Sequence, residues 1–465
     1  MNFVYTPTPK MDFKMFIEND EEKFEAKQAD IPLSDNVHTL NGLFGQFGEK
    51  LYVVGGAVRD FWDNKIHSPE EEYDPKDYDI ATQASPDRVQ EILTSPQAQE
   101  MGIRSLPKGE AFGVISAILK GEEMEIATFR EEWYDPETGD GRRPDEVSFS
   151  TPGKDAKRRD LTINALFYDI QDKEIRDYNL DEDGKGQGFQ DIENRNVRPV
   201  GNARERFRED KLRVARLVRF FSRFNPGEIK SHLTPDVLDA VEEFKDMVGV
   251  SGERIAAEFI SGLEKAKNPI NYLKNWHMLN LFPTLFPGIQ VNMDNIERVD
   301  NRNLKAVMAW IFRDNDPKML RNRLNALNYP NDVSDGVSNL LNHIQRGEEG
   351  HDFANDNIAH LLKKRDVHKQ LSDDPVIDQK GQAGPSLRAK AGEEMHRNIR
   401  DFGRMTRTSD DMEHFLNYQP TVKSQDYMHL PGAERGPAMK AAEIEAYKKS
   451  RANSQYGRFF RGGGK

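Results

Sequence analysis

The sequence predicts an α+β chain, a mixed head of about 140 residues followed by an all-helical neck, body and tail. Three observations carry this. Between Leu51 and Asp177, short apolar runs alternate with helix-compatible segments and turn residues. Beyond Asn202 the strand signals fade and apolar residues recur at helical spacing. With 465 residues, at about 150 per domain, the chain is long enough for several such parts.

Residues 1–35 read as a polar, acidic extension forming a short helix and a loose arm. Leu51-Tyr-Val-Val54 is a short buried strand that runs into Gly55-Gly56 and then a helix from Ala57. A polar stretch, 67–76, precedes a strand at 77–82, and residues 87–93 form a helix capped by Ser85-Pro86. The alternating runs 112–119 and 124–129, joined by Lys120-Gly121-Glu122, make a hairpin. After the loop 131–155, an apolar segment at 161–170 and a strand at 175–177 complete the head. In 209–224, expected as one helix, Val214, Leu217, Val218, Phe221 and Phe224 share a face flanked by Arg213, Arg216, Arg219 and Arg223. Helices also fit 235–248, 253–267, 270–279, 304–312 and 317–327, with Trp276, Phe282 and Phe286 as core, and 372–386 as a linker. The expected divisions are an extension, 1–35; a catalytic head, 36–178; a neck, 179–290; a body, 291–375; and a linker with helical tail, 376–465.

Composition narrows the chemistry. The absence of cysteine removes disulfides, thiolate metal sites and cysteine nucleophiles, so any metal must be held by oxygen or histidine. No apolar run approaches the roughly 18–20 residues that span a bilayer, and the N-terminus lacks a signal-peptide pattern, so a soluble, cytoplasmic protein is expected. The net charge of -13 is unevenly spread. Residues 1–100 hold 9 Lys and Arg against 20 Asp and Glu, whereas 195–223 hold 10 basic against 3 acidic residues. That second segment is either a solvated helix face or a wall for phosphates.

Asp77 and Asp79 lie in a run read as a strand, where alternate side chains share a face, so their carboxylates converge. Such a pair alone most often decorates a surface. Its company matters more: Gly55-Gly56 stands at a strand-to-helix junction, where bare backbone N–H groups can accept a triphosphate. Glu125, on the second hairpin strand, can pair beside the first two. Such oxygen ligands suit Mg²⁺, and a pair of ions would activate a 3′-hydroxyl and stabilise departing pyrophosphate.

These residues match a family. Leu51-Tyr-Val-Val-Gly-Gly-Ala-Val-Arg-Asp60, followed by Lys76-Asp-Tyr-Asp-Ile-Ala-Thr82, resembles the first motif of the class II CCA-adding enzyme (tRNA nucleotidyltransferase) and bacterial poly(A) polymerase family. That family is a branch of the polymerase β-like nucleotidyltransferases. Glu125-Ile-Ala-Thr-Phe-Arg130, Arg158-Arg-Asp-Leu-Thr-Ile-Asn-Ala165, Glu209-Asp-Lys-Leu-Arg213 with Arg219-Phe-Phe-Ser-Arg-Phe224, and Ser251-Gly-Glu-Arg-Ile255 resemble its later motifs in order.

The resemblance implies a polymerase β-like head and roles for matching residues. Asp77 and Asp79 would hold catalytic Mg²⁺, with Glu125 a third carboxylate. Gly55, Gly56 and Arg59 would cradle the triphosphate, and Asp160 would recognise the ribose. Arg158 and Arg159 would meet phosphates or brace the pocket, and Arg130, Asn164, Glu209 and Arg216 would line the nucleotide site. Asp210 and Arg213, taken as neighbours three apart on one helix, would serve as a protein template for the base. Asp accepts from an exocyclic amine and Arg donates to ring nitrogen or carbonyl, which suits cytosine and adenine. A plain Asp210–Arg213 salt bridge is the alternative.

The implied activity is addition of CCA to the tRNA 3′ end from CTP and ATP, with no membrane partner. Poly(A) synthesis from ATP alone and a catalytically silent RNA-binding protein are the alternatives. The sequence departs from the family in 16 residues between Asp60 and Asp77, expected to lengthen a surface loop, and in its acidic extension. Leu430-Pro-Gly-Ala-Glu-Arg-Gly-Pro-Ala-Met-Lys440 resembles the Pro-Gly turn and helix in the tail of CCA-adding enzymes. Asn179, Asp181, Asp183 and Gly184 mimic a calcium loop, but Gln190 stands where the bidentate carboxylate belongs, so a hairpin loop is expected. His351-Asp352 reads as a helix start, and Gly462-Gly-Gly-Lys465 as a basic end without a P-loop helix.

Overall fold

The computed structural model describes residues 22–75, 77–106, 113–133, 146–294, 296–298, 304–348, 375–377, 383–386 and 423–453. His351-Asp352, residues 462–465, most of the 372–386 linker and residues 1–21 of the extension lie outside these. The chain divides into two compact units, residues 1–281 and 282–465.

The first unit begins with strand β1 (Glu25–Gln28), where the sequence suggested only a loose arm and a short helix. Glu-Ala-Lys-Gln has no strand propensity of its own; pairing with a distant strand makes it one. Helix α1 (Asp35–Gln46) follows, its N-terminus capped by Ser34, which accepts from the Val37 N–H. The wholly buried β2 (Leu51–Val54) turns through Gly55 into α2 (Gly56–His67). The extra residues before Asp77 therefore begin as helix, contrary to the expected loop. The remaining loop is pinned where the Tyr73 hydroxyl donates to the Ala57 carbonyl at 2.7 Å.

Strand β3 (Asp79–Thr82) leads to α3 (Pro86–Leu93), capped by Ser85 as expected, and to α4 (Pro96–Glu100). Next come β4 (Arg104–Leu106), β5 (Val114–Leu119) and β6 (Glu122–Thr128). The predicted hairpin is β5–β6; its turn residues Lys120 and Gly121 have φ of 50° and 85°, the mirror-image turn that matches strand twist. A separate ribbon, β7 (Arg130–Trp133) with β8 (Glu146–Phe149), precedes α5 (Pro152–Arg158), a 3₁₀ turn at Thr162–Asn164, β9 (Leu166–Asp169) and β10 (Glu174–Asp177).

Eight strands form one mixed sheet in the order β1-β10-β9-β2-β3-β6-β5-β4. Only β3 and β6 run parallel among its neighbours, with Ile80 opposite Ile126. Tyr52, Val54, Ala81, Phe129, Phe167 and Tyr178 form a buried cluster that takes in Ala156 of α5. This contact lays α5 on the sheet face that carries Ala81, and therefore on the face that alternation assigns to Asp79.

The first unit continues with α6 (Gln187–Glu193), α7 (Ala203–Glu209), α8 (Leu212–Phe224), α9 (Pro235–Phe244), α10 (Gly252–Lys265) and α11 (Pro269–Met278). The loop before α6 closes on itself as expected, Asp181 accepting from the N–H groups of Asp183 and Lys185 and from Gln190. The apolar face read on 209–224 is buried, with Val214, Leu217, Val218 and Phe221 fully inside. The second unit holds α12 (Phe282–Leu285), α13 (Leu304–Ile311), α14 (Pro317–Ala326), α15 (Asn331–Glu348), the pair β11 (Pro375–Ile377) and β12 (Ala383–Ser386), and α16 (Gly432–Asn453). Its core contains Phe286, set edge-on to Phe312 at 4.6 Å. No described helix is long and apolar enough to cross a membrane.

Helix α10 packs against α11 through a glycine. A methyl group at Gly262 would overlap the Tyr272 ring, which is fully buried. Gly262→Ala is expected to cost about 1–3 kcal/mol, because a packed aromatic cannot step aside without strain. Chemical denaturation of the variant checks this; an unchanged midpoint would show that the helix pair has room.

Candidate active site

The turn at Gly55 organises the head. Its φ of +71° lies in the left-handed region, which a side chain disfavours, and it joins a buried strand directly to a helix N-terminus. Space matters as much as conformation. A Cβ placed on Gly55 would stand 3.3 Å from Asp79 Oδ2 and 3.7 Å from an Arg159 guanidinium nitrogen. A carboxylate and a cation thus flank one bare turn. Asp79 reaches it because β2 and β3 pair antiparallel with Val54 opposite Asp79.

The three expected carboxylates are placed unequally. Asp79 opens β3, whereas Asp77 precedes the strand, so the run 77–82 is strand only from Asp79 onward. Glu125 lies one residue before the Ile80–Ile126 pairing, which puts it beside Asp79 on the neighbouring strand. All three are exposed. Among the described residues no group of three or more Asp, Glu or His is gathered closely enough to hold a metal. Two exposed carboxylates beside an open turn still suit a hard cation that completes its shell with phosphate and water.

Arg158 and Arg159 end α5 and share one anchor, Asp155, one turn back on the same helix. Asp155 Oδ1 accepts from Arg158 Nε at 2.9 Å and a terminal nitrogen at 2.6 Å, while Oδ2 accepts from Arg159 at 3.1 and 3.0 Å. Burial pushes the Asp155 carboxyl up, but the charges of Arg159 and Arg158 outweigh it and hold the group below its ordinary range. The Arg159 guanidinium also stacks 4.8 Å above Phe167. Glu132 receives both Arg158, at 3.0 Å, and Arg130, at 2.8 Å.

A second lattice ties the head to α8. Arg59, only 4% exposed, donates to Asp60 at 2.9 and 3.0 Å and to the side-chain Oδ1 of Asn164 at 2.6 Å, with Phe220 below it at 4.9 Å. Asn164 donates to Asp160 at 3.1 Å, and Arg216 donates to Asp160 at 2.7 Å. Arg216 and Arg219 then meet at Glu258 on α10. Asp60 also holds Arg223 at 2.9 Å. Burial raises the Asp160 carboxyl, and Arg216 with Asn164 reverses this, leaving it below its ordinary range. Arg213, Arg216, Arg219 and Arg223 are therefore held in buried and half-buried pairs rather than as a free cationic face.

The expected single helix 209–224 is two helices. Asp210 sits between them with extended backbone (φ -147°, ψ 104°), and its Oδ1 accepts from the Leu212 N–H at 3.0 Å. Asp210 is thus not a helical neighbour of Arg213, and its ion pair is with Arg254 at 2.8 Å. Arg213 is buried, donating to Glu209 at 2.5 Å and to the carbonyls of Arg206 and Arg158 at 3.0 and 2.9 Å. Glu209 also pairs with Arg206, and burial lifts its carboxyl above its ordinary value.

Comparison with known proteins identifies the family. The family described as the poly A polymerase head domain matches residues 51–198. Human mitochondrial CCA tRNA nucleotidyltransferase 1 is 36% identical over 256 residues, 54% of this chain and 52% of that protein. The CCA-adding enzyme of Staphylococcus aureus strain MRSA252 is 30% identical over 333 residues, 69% of this chain and 74% of that one. The chain belongs to the CCA-adding enzyme family. It spans about half the length of the vertebrate mitochondrial relatives it matches. The fold agrees as well: the Bacillus stearothermophilus CCA-adding enzyme solved with CTP superimposes with a TM-score of 0.56 at 20% identity, covering 92% of this chain and 98% of that one. The Thermotoga maritima enzyme solved with tRNA gives 0.58 at 17% identity, covering 91% and 95%.

Within this member of the family, motif reading missed Asp155, Glu132 and Glu258, and it gave Arg254, inside the motif at 251–255, no role. Spacing could have found Asp155, three and four residues before Arg158 and Arg159 on one helix. Glu132 stands two residues from Arg130 on one strand, but its contact with Arg158, like those of Glu258 and Arg254, is made only by tertiary structure.

Asp155→Asn would strip Arg159 of this charge partner and leave Arg158 with Glu132 alone, and is expected to cost about 3–5 kcal/mol at pH 7. The pH dependence has a definite sign. Asp155 and Asp160 have folded values below their unfolded ones, so their stabilisation is complete above about pH 4 and is lost as pH falls through the lowered values. Urea midpoints measured from pH 7 down to pH 2 should fall more steeply at the acid end for the parent chain than for Asp155→Asn.

Proposed function

We propose that this chain adds cytidine, cytidine and adenosine in turn to the 3′ end of tRNA, using CTP and ATP and releasing pyrophosphate. The observation that carries the reading is the placement of Asp79 and Arg159 on either side of the bare Gly55 turn. Polymerisation of nucleotides needs a carboxylate for metal and a cation for phosphate within reach of one triphosphate. The named activities of the relatives support the same choice.

In this reading the triphosphate lies against the N–H groups at Gly55 and Gly56, with Arg159 facing it and Arg158 bracing the ribbon at Glu132. Asp77 and Asp79 would hold Mg²⁺, with Glu125 available beside them; when bound, the ion supplies charge neutralisation at the reacting phosphate and the attacking hydroxyl. The 3′-oxygen of the RNA forms a bond to the α-phosphorus, the bridge to the β-phosphorus breaks, and pyrophosphate leaves with that electron pair while the hydroxyl proton passes to solvent. Asp160, Asn164 and Arg216 sit where the ribose would be read, and Arg59, packed beneath the turn, fixes Asn164. Asp210 and Arg213 would read the base, Arg213 giving up one of its carbonyl partners to do so.

Transcripts of tRNA ending before CCA, after C and after CC test the activity directly. With CTP and ATP the first should grow by three nucleotides and stop. A ladder of adenylates without CTP use would establish poly(A) synthesis, and RNA binding without incorporation a silent descendant. Asp79→Ala and Asp77→Ala should each lower incorporation by at least about 10³-fold with the fold intact. Asp210→Ala should relax the choice of CTP over UTP, at about 1–3 kcal/mol of discrimination. An unchanged ratio with lowered turnover would make Asp210 a structural partner of Arg254.

A further inference from the structure

The acidic extension has no role in the reading above, yet its described part touches the helix that carries the arginine pair. Glu22 lies 131 residues before Gly153, and its Oε2 accepts the Gly153 N–H at 3.0 Å. Its other oxygen accepts from the Thr151 hydroxyl. Thr151 is the N-cap residue of α5 but caps nothing with its own side chain, and Pro152 has no N–H to cap. The carboxylate of Glu22 therefore does the capping, where a negative charge also meets the positive end of the helix. Gly153 is matched to this contact, because a Cβ there would lie 2.7 Å from Glu22 Oε1.

A seven-residue helix has little stability of its own, so its direction depends on caps and packing. One turn beyond the cap stands Asp155, which holds Arg158 and Arg159. A second route leads to the same place. β1 pairs with β10, from Glu25 opposite Asp177 to Gln28 opposite Glu174, and sets Phe24 against Tyr178 at 5.3 Å. Tyr178 meets Phe167 edge-on at 5.5 Å, and Phe167 carries the Arg159 guanidinium. The arm thus fixes both the helix that anchors Arg159 and the ring on which it rests.

We propose that Glu22 is a positioning residue for Arg159, held in place by the arm that β1 fastens to the sheet. This rests on the reading that Arg159 faces the triphosphate. Glu22 touches no reacting atom; it sets the direction of α5.

The test uses the full chain and compares Glu22→Ala, Gly153→Ala, Lys27→Ala and Arg159→Ala. Lys27 lies in β1, within the same arm, and pairs with Glu25 and Glu193, away from α5, so it controls for general loosening of the arm. Steady-state kinetics on a tRNA ending before CCA should show KM for CTP raised about fivefold or more in Glu22→Ala and in Gly153→Ala. Lys27→Ala should leave that KM unchanged even if its melting temperature falls equally. Competition by CTP and by CMP separates phosphate from base recognition: Glu22→Ala should weaken CTP and leave CMP unaltered. Combined with Arg159→Ala, Glu22→Ala should add less than a twofold further effect, since both act through one group. Equal KM changes in the Lys27 and Glu22 variants, or full additivity with Arg159→Ala, would overturn the proposal. If Arg159→Ala itself leaves CTP affinity unchanged, the assignment of Arg159 to the triphosphate fails first. Should Arg159→Ala weaken CTP while Glu22→Ala does not, the positioning role alone is wrong.

Discussion

Two adjacent arginines repel each other, and the site depends on the single buried carboxylate that holds both. Asp155 offers one oxygen to each, and being 1% exposed it cannot relax into water if either leaves. The pairing fixes two guanidinium planes in a defined direction, so their donors are held in place rather than carried on floppy side chains. The same device recurs at Asp60, which holds Arg59 and Arg223, and at Glu258, which holds Arg216 and Arg219. In each case one carboxylate orders two cations.

This arrangement explains why the basic stretch at 195–223 was legible as a feature and illegible as a structure. Its charge could be counted, but which arginine faces which acid depends on elements far apart in the chain, such as Asp60 with Arg223. What could be read were patterns confined to one element: the Gly55-Gly56 junction, the cap at Ser85, the β5–β6 hairpin with its Lys120-Gly121 turn, and the apolar face of α8. The order of motifs carried the family, because each preserves local chemistry that needs no partner to be recognised.

The misreadings share a physical cause as well. Glu-Ala-Lys-Gln becomes β1 only because β10 offers an edge. The run 209–224 keeps a helical apolar period across the break at Asp210, because α7 and α8 bury adjoining faces and periodicity does not register a change of axis. Backbone at Asp210 is extended for one residue, enough to separate its carboxylate from Arg213 and hand it to Arg254. A period averaged over sixteen residues cannot resolve a one-residue interruption.

Strand β1 is an edge strand whose partner, β10, lies about 150 residues later in the chain. During synthesis at roughly 5–20 residues per second, the first strand must wait on the order of ten to thirty seconds before its neighbour exists. Through that interval it is an unpaired segment, and its make-up is suited to waiting: two of its four residues are charged, one is a glutamine and none is a large apolar side chain. The pairing therefore joins residues near the two ends of the head's own sequence, and it cannot form before β10 has been made. A strand with stronger intrinsic preference would find other edges first, and weak propensity here is what keeps the delayed pairing faithful.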